Sequence, residues 1–406
     1  MNHAETHDPA RRAGSRNFPG VTASSCAHAV LALLAYFAFP AAAPAQPSTH
    51  VIRAAAYVNS EGELQSGALL VIEDPKILQV GGDAPVGAPS ESYAGAVISA
   101  GLIDIDAALG AWGNLSERDS ALQPEAVAKD AFDRYHAQLG VALRAGVTTF
   151  ALVPKDDNLI GGRIAICQTS GPRTRPILLD DAGPLKLSLA PAVFQPDREP
   201  TSRAGAIAML RGELQRARDD ASGGPAALAQ FTRGKLAGIM TTPSGADVLV
   251  ALDLIKAHGL KLTLRHTHDA RAVAREIAAA GIGVIVDPYE FSSSPRDASA
   301  AGVFERAGVR VTIAGGLPGR AADSLRTAAA VAVRNGMSPA AARRAITSAP
   351  ATALGIADRV GSIERGRLAD LVVFSGDPLD LRSRVLAVYV GGRRVFVAEP
   401  SEQRER

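Results

Sequence analysis

Ala142-Leu-Arg-Ala-Gly146 runs straight into Val147-Thr-Thr-Phe-Ala-Leu152. The first piece reads as a helix end closed by glycine, the residue that enters left-handed backbone without a Cβ penalty. The second is an apolar run rich in β-branched residues and reads as a buried parallel strand. The same order returns at Lys256-Ala-His-Gly259 before Leu260–Leu264, at Ala278-Ala-Ala-Gly281 before Ile282–Val286, and at Arg306-Ala-Gly308 before Val309–Ile313. Four helix–glycine–strand units predict an α/β fold with a parallel sheet. Their irregular spacing excludes a fixed-repeat solenoid.

Outward from this middle the pattern changes. Val51–Val58, Ala68–Glu73 and Ile77–Val80 read as short strands, and so do Leu371–Phe374, Val385–Val390 and Arg394–Val397. Gly81-Gly82, Gly366 and Gly391-Gly392 supply the turns. Two β-rich flanks predict one small β-sandwich assembled from both chain ends, residues 46–100 and 358–398. The part between them, 101–357, has the usual size of a (β/α)8 TIM-like barrel, about 250 residues. Within it, Glu125–Leu143 reads as helical. Ser338 is the expected cap of a helix starting at Pro339, and Gly355 ends the short helix that follows. The polar tail 399–406 is expected to be disordered.

Of 406 residues, 43 are basic and 41 acidic, so no global charge draws the chain to nucleic acid or anionic lipid. The N-terminus stands apart. Arg11, Arg12 and Arg16 precede an apolar run, Ala27–Phe39, then Pro40 and Ala43-Pro44-Ala45. Charged, apolar and small-residue regions in that order define a secretory signal over residues 1–45. The alternative is a membrane anchor, but the run is short for a span of about 20 residues and Pro40 interrupts it. A periplasmic or secreted protein is expected. Once Cys26 leaves with the signal, Cys167 stands alone and reads as an inert buried thiol.

Ala100-Gly-Leu-Ile-Asp104, Ala145-Gly-Val-Thr-Thr149, Ser348-Ala-Pro-Ala-Thr-Ala-Leu-Gly355 and Gly361-Ser-Ile-Glu-Arg-Gly-Arg-Leu-Ala-Asp-Leu-Val-Val373 resemble the amidohydrolase superfamily, in particular its imidazolonepropionase-like branch. The last of these is the specific one. The resemblance implies a (β/α)8 barrel with a β-sandwich from both ends, and hydrolysis at a divalent metal, usually zinc. Such a metal lowers the pKa of bound water so that hydroxide exists at neutral pH. Its ligands would stand at the C-terminal ends of barrel strands.

Carried onto this chain, the ligand pattern is mostly broken. The His-x-His position on the first strand reads Asp106-Ala107-Ala108. The fourth-strand position falls near Pro191, the fifth-strand histidine at Thr241, and the eighth-strand aspartate at Gly316. Only His266, on the sixth strand, matches. Neither Val309–Gly319 nor Lys235–Ala246 holds a His, Asp, Glu or Cys, so no small shift of register restores the ligands. His266 and His268 are two apart and share a face if extended. With Asp106 they make up the three ligands that catalytic zinc needs at minimum. The competing reading is one inherited histidine and one loop histidine beside Asp269, a helix cap. Lys186 is expected to form an ion pair at a strand end. Asn158-Leu-Ile-Gly-Gly162 resembles a loop over the family's active site.

Two classes of function remain. One is a non-catalytic relative, a pseudoenzyme acting by binding. The other is an active hydrolase of C–N bonds in cyclic amides or small peptides, with a rebuilt or metal-free site. The missing ligands favour the first. No catalytic residue is assigned. No cofactor is expected, zinc being the one held open. Partners left open are a small-molecule ligand, a second copy of the chain, and an active relative; nucleic acid is not expected, nor membrane beyond the signal. The mature chain is expected to begin near Gln46, and N-terminal sequencing of exported protein checks this. An intact Met1 chain in the cytoplasm would contradict it.

Overall fold

The computed structural model describes residues 49–169, 178–180, 182–219, 225–265 and 270–399. The signal segment, His266 and His268, Asp269 and the tail beyond 399 therefore lie outside the described residues. The helix Gly245–His258 shows how local sequence sets the units of the α/β middle. Ser244 accepts the Asp247 N–H while Asp247 caps the Ser244 N–H in return, and Gly259 closes the far end at φ +67°. Gly146, Gly281 and Gly308 take positive φ in the same place. Ser338 caps the helix Pro339–Ala345 by accepting the Ala341 N–H.

Among the described residues the strands are, in chain order, β1 (Thr49–Val58), β2 (Leu64–Glu73), β3 (Lys76–Val80), β4 (Ser90–Ala100), β5 (Leu102–Ala107), β6 (Val147–Leu152), β7 (Ile160–Arg163), β8 (Ala165–Gln168), β9 (Leu178–Asp180), β10 (Leu185–Ser188), β11 (Ala237–Thr241), β12 (Lys261–Arg265), β13 (Gly283–Val286), β14 (Val311–Ile313), β15 (Leu371–Phe374), β16 (Val385–Val390) and β17 (Arg393–Val397).

The α/β class holds, with two differences from expectation. The chain ends do meet, but in one seven-stranded sheet of order β17-β16-β15-β4-β1-β2-β3, not as two facing sheets. Its central strand, β4, went unread. Ser90-Glu-Ser-Tyr-Ala-Gly95 is polar and largely exposed, and only Ala96–Ala100 is buried throughout. β4 joins the ends by pairing parallel with β1 and antiparallel with β15. The α/β body, in turn, is not one closed ladder. It holds a six-stranded sheet, β14-β13-β12-β11-β10-β7, and a four-stranded sheet, β5-β6-β8-β9. β10 to β14 run parallel, as do β5 and β6, whereas β7 and β8 pair antiparallel.

Two more readings change. Glu125–Leu143 is not one helix but a 3-10 turn, Ala128–Ala131, and a helix, Gln138–Arg144. Asn158–Gly162 enters a buried strand instead of a loop. Gly162, at φ +99°, passes so close to Ala126 that a Cβ would lie 2.5 Å from its carbonyl oxygen.

The body holds a large core, to which Val372 and Phe374 of β15 belong, and a smaller one around Ile103, Ile105, Ile166, Ile239 and Ile285. Leu371 and Val373 point the other way, into another core with Ile52, Leu70 and Ile72. Cys167 is buried in the first, which pushes its thiol up to about 12.

Asp370 ties the end sheet to the body. Its carboxylate accepts the Gly391 N–H at 2.7 Å and the Gln168 side-chain amide of β8. Burial pushes its pKa up to about 6, against the lowering effect of those two bonds. The folded chain thus holds this proton up to about pH 6, and the unfolded chain only to about pH 4. Folding binds a proton in that window, so the contribution of Asp370 to stability falls as pH rises through it. Asp370→Asn should therefore gain about 2–3 kcal/mol relative to wild type between pH 4 and 7. Urea melts at several pH values would show this as a flatter profile for the variant.

Candidate functional site

Three neighbouring strands set the level of the site. Ser188, Thr241 and Arg265, the last residues of β10, β11 and β12, are register partners across the sheet. These are C-terminal strand ends, where the loops of an α/β fold place their chemistry. Lys186 lies one repeat below Ser188 on the same face. Its side chain is 1% exposed and reaches the layer above.

Four charged side chains and one hydroxyl meet there. The guanidinium of Arg265 binds Asp156 through Nη1 at 2.7 Å and Asp106 of β5 through Nη2. The Lys186 ammonium binds the other oxygen of Asp156, and also donates to Thr241 Oγ1 at 2.9 Å and the Leu187 carbonyl at 3.2 Å. Thr241 Oγ1 donates to Asp156 Oδ1 at 2.6 Å. Asp156 belongs to the loop after β6, so the network ties five elements together. Burial alone would raise the Asp156 pKa, but Lys186 and Arg265 overcome it and hold the carboxyl far below the usual range. Burial lowers Lys186, and Asp156 offsets part of that. For Arg265, Asp106 and Asp156 outweigh burial and raise the pKa further.

Below this layer Asp104 is fully buried. Its carboxylate accepts the N–H groups of Gly315 at 2.8 Å, Leu317 at 3.0 Å and Asp106 at 3.1 Å. Burial raises its pKa, and the backbone donors oppose this. That geometry gives Asp104 a structural role.

Beside Asp156 a cavity of ≈490 Å3 opens, with Arg118, Lys155, Asp157, Gln195 and Arg198 in its wall. All come from loops that follow β5, β6 and β10. Asp157 is buried, and its Oδ1 has no hydrogen-bond partner among the described residues. A larger cavity, ≈690 Å3, lies at the opposite strand ends by Lys235, Leu260 and Gly281, and contains none of the network. The mouth is the candidate site because it combines a cavity with convergent charge.

The expected metal ligands fare as follows. Asp106 is at the mouth but is engaged by Arg265. His266 and His268 lie outside the described residues. Thr241 is at the expected level, inside the network, and Gly316 offers backbone only. Lys186 forms the expected ion pair, with Asp156 as its partner. Among the described residues no three His, Cys, Asp or Glu side chains come together as a metal site. The donor set does not fit the family's metal: two cations hold the carboxylates that a metal would need. Of the other histidines, His136 lies between helices and accepts the Gln138 N–H. His258 ends its helix, and burial and Arg218 lower its pKa. Trp112 is 78% exposed and covers no core.

Asp156 and Arg265 were missed by sequence reasoning. The signal for Arg265 was weak: Leu260-Lys-Leu-Thr-Leu264 alternates, and Arg265 follows Lys261 and Thr263 on its polar face. Asp156 had none, for its partners lie up to 109 residues away.

This is an α/β body with an ion-pair network at the C-terminal ends of its parallel strands. Residues 225–395 match the family model described as "Amidohydrolase family". An amidohydrolase from Thermotoga maritima MSB8 aligns with TM-score 0.78 at 22% identity, over 86% of this chain and 100% of that one. A prolidase crystallised with N-methylphosphonate-L-proline aligns at 0.57 and 18%, over 86% and 100%. A putative prolidase from Bifidobacterium longum aligns at 0.52 and 16%, over 86% and 95%. Among curated proteins none matches. The family model covers less than half of the chain, and these solved structures, each below 25% identity, show a shared fold.

Removing one member of a buried ion pair strands the other charge, at a cost of about 3–5 kcal/mol. Asp156→Ala strands Lys186 and should cost that much in chemical denaturation. Asp106→Ala should cost clearly less, because Arg265 keeps Asp156. Equal losses would mean that Asp156 is not the hub.

Proposed function

We propose that the protein is an exported, non-catalytic member of the superfamily, in its imidazolonepropionase-like branch, which acts by binding a small molecule at the strand-end mouth. The observation that carries this reading is the engagement of Asp106 and Asp156 by Arg265 and Lys186. A zinc ion on His266, His268 and Asp106 would require Arg265 to release Asp106. The strand-eight carboxylate that would carry the proton is replaced by Gly316, and general base catalysis is typically worth about 10²–10⁴-fold.

We read the two body sheets as arcs of one (β/α)8-type barrel. Ile160–Gln168 belongs to both sheets through β7 and β8, and Asp104 joins β5 to the segment after β14. The sheet from both ends corresponds to the superfamily's accessory β domain. The residue 1–45 pattern supports export. A second copy of the chain or an active relative is the further partner we propose.

One observation favours a second reading, a metal-free hydrolase. Thr241 Oγ1 touches both Lys186 and Asp156, the arrangement of an activated nucleophile. Against it, Thr241 is 1% exposed and Asp156 is too weakly basic in this field.

Purified protein should carry no stoichiometric zinc after dialysis and turn over neither cyclic imides nor dipeptides. Elemental analysis and a substrate panel with and without chelator test this. Turnover lost to chelator and restored by metal refutes the proposal, and metal-independent turnover abolished by Thr241→Val selects the second reading.

A further inference from the structure

We infer that Arg265 and Lys186 stand in charge and place for a divalent cation, and are what keeps one out of the mouth. The inference rests on the non-catalytic binding reading above. It goes further by assigning the exclusion of metal to two residues and not only to missing ligands.

The argument starts from charge. Asp106 and Asp156 bring two negative charges to the network, and Arg265 and Lys186 bring two positive ones. Both carboxylates are only partly exposed, at 21% and 26%, and the cations are more buried still, at 14% and 1%. At such burial an unpaired charge is costly, so the cluster must stay balanced. A divalent ion could enter only by displacing both cations, and neither has an exit. Lys186 is enclosed on β10, and its ammonium donates to Asp156, Thr241 and a carbonyl. Arg265 is fixed between two carboxylates.

Geometry supplies the second part. Oxygen donors from three elements already converge on the cationic nitrogens: Asp106 from β5, Asp156 from the loop after β6, and Thr241 from β11. Without the cations this set carries a charge of −2 and presents only oxygen, which suits a hard divalent ion such as manganese. Protonation of the carboxyls is the competing way to balance the charge, and it holds no metal.

The test uses the full-length chain with Lys186→Met and Arg265→Met combined, and Mn2+ as the probe. Binding is read by titration with electron paramagnetic resonance, and thermal melts are run with and without Mn2+. Wild type should show no specific binding and no change in melting temperature. The double variant should bind one Mn2+ about 100-fold more tightly than wild type, with a raised melting temperature. Adding Asp106→Asn and Asp156→Asn should abolish the gain. If the double variant is unfolded as purified, Mn2+ should restore its fold, since binding energy is then folding energy. A folded double variant that binds Mn2+ no better than wild type overturns the inference. So does an unfolded one that Mn2+ fails to rescue, and so does a gain that survives the two Asn substitutions. Chelator-sensitive turnover by wild type would instead sink the binding reading; a double variant indifferent to Mn2+ sinks only this inference.

Discussion

The double pairing of Arg265 is the constraint on which the mouth depends. Asp106 reaches it from β5 and Asp156 from the loop after β6, and without a shared counter-charge they would repel across a poorly hydrated gap. A planar guanidinium can meet two carboxylates at once because its donors lie in a fixed fork. Lys186 cannot do this, and it binds the remaining face of Asp156 as a point charge. The register of Ser188, Thr241 and Arg265 across β10, β11 and β12 puts the contacts in one layer. Lys186 starts a layer lower, and its long apolar stem carries the charge up through the core. Such a network is a poor source of net stability compared with apolar packing. Its consequence is specificity: each member fixes the position of the next.

The same end of the fold shows a second device, made of backbone. β14 and β5 share no strand ladder, and the gap is spanned by Asp104, which accepts N–H groups at Gly315 and Leu317. Position 315 must be glycine for this to work, because a Cβ there would lie 2.6 Å from Asp104 Oδ2. Thus Thr312–Gly316 does more than lack a metal ligand. It brings backbone close to a buried carboxylate from the first strand, and a bulkier segment would push β14 away from β5. Asp104 and Asp106, two residues apart on one strand face, do different work in adjacent layers. The lower holds backbone, and the upper holds Arg265.

What was legible in the sequence was local. Helix caps at Ser244 and Ser338, and the glycines before β6, β12, β13 and β14, are decided by residues a few positions apart. The strand character of both flanks was legible for the same reason. β4 was not, because the half that is exposed reads as a polar loop. β7 was not, because its glycines look like a turn when the close approach of Ala126 is unseen. At the site, the charge on Lys186 was readable as an ion pair, but its partner was 30 residues away in an unremarked loop. The bridge from Arg265 to Asp106 spans 159 residues, and nothing local marks it.

The missing ligands and the cation network are two sides of one electrostatic condition. A chain that only lacked metal ligands would leave Asp106 and Asp156 charged, partly buried and uncompensated. They would then be protonated or drawn out to solvent. Asp156 is in the opposite condition: it contacts both Lys186 and Arg265, and these fixed cations favour its ionised form. Adding a single ligand residue therefore works against the charge balance of Asp106, Asp156, Lys186 and Arg265. An acid at position 316 would add a third negative charge to a balanced cluster, and a histidine at 241 would displace the hydroxyl that Lys186 and Asp156 share. Removing the cations comes first, because only then can an incoming ion supply the charge that Asp106 and Asp156 are left without.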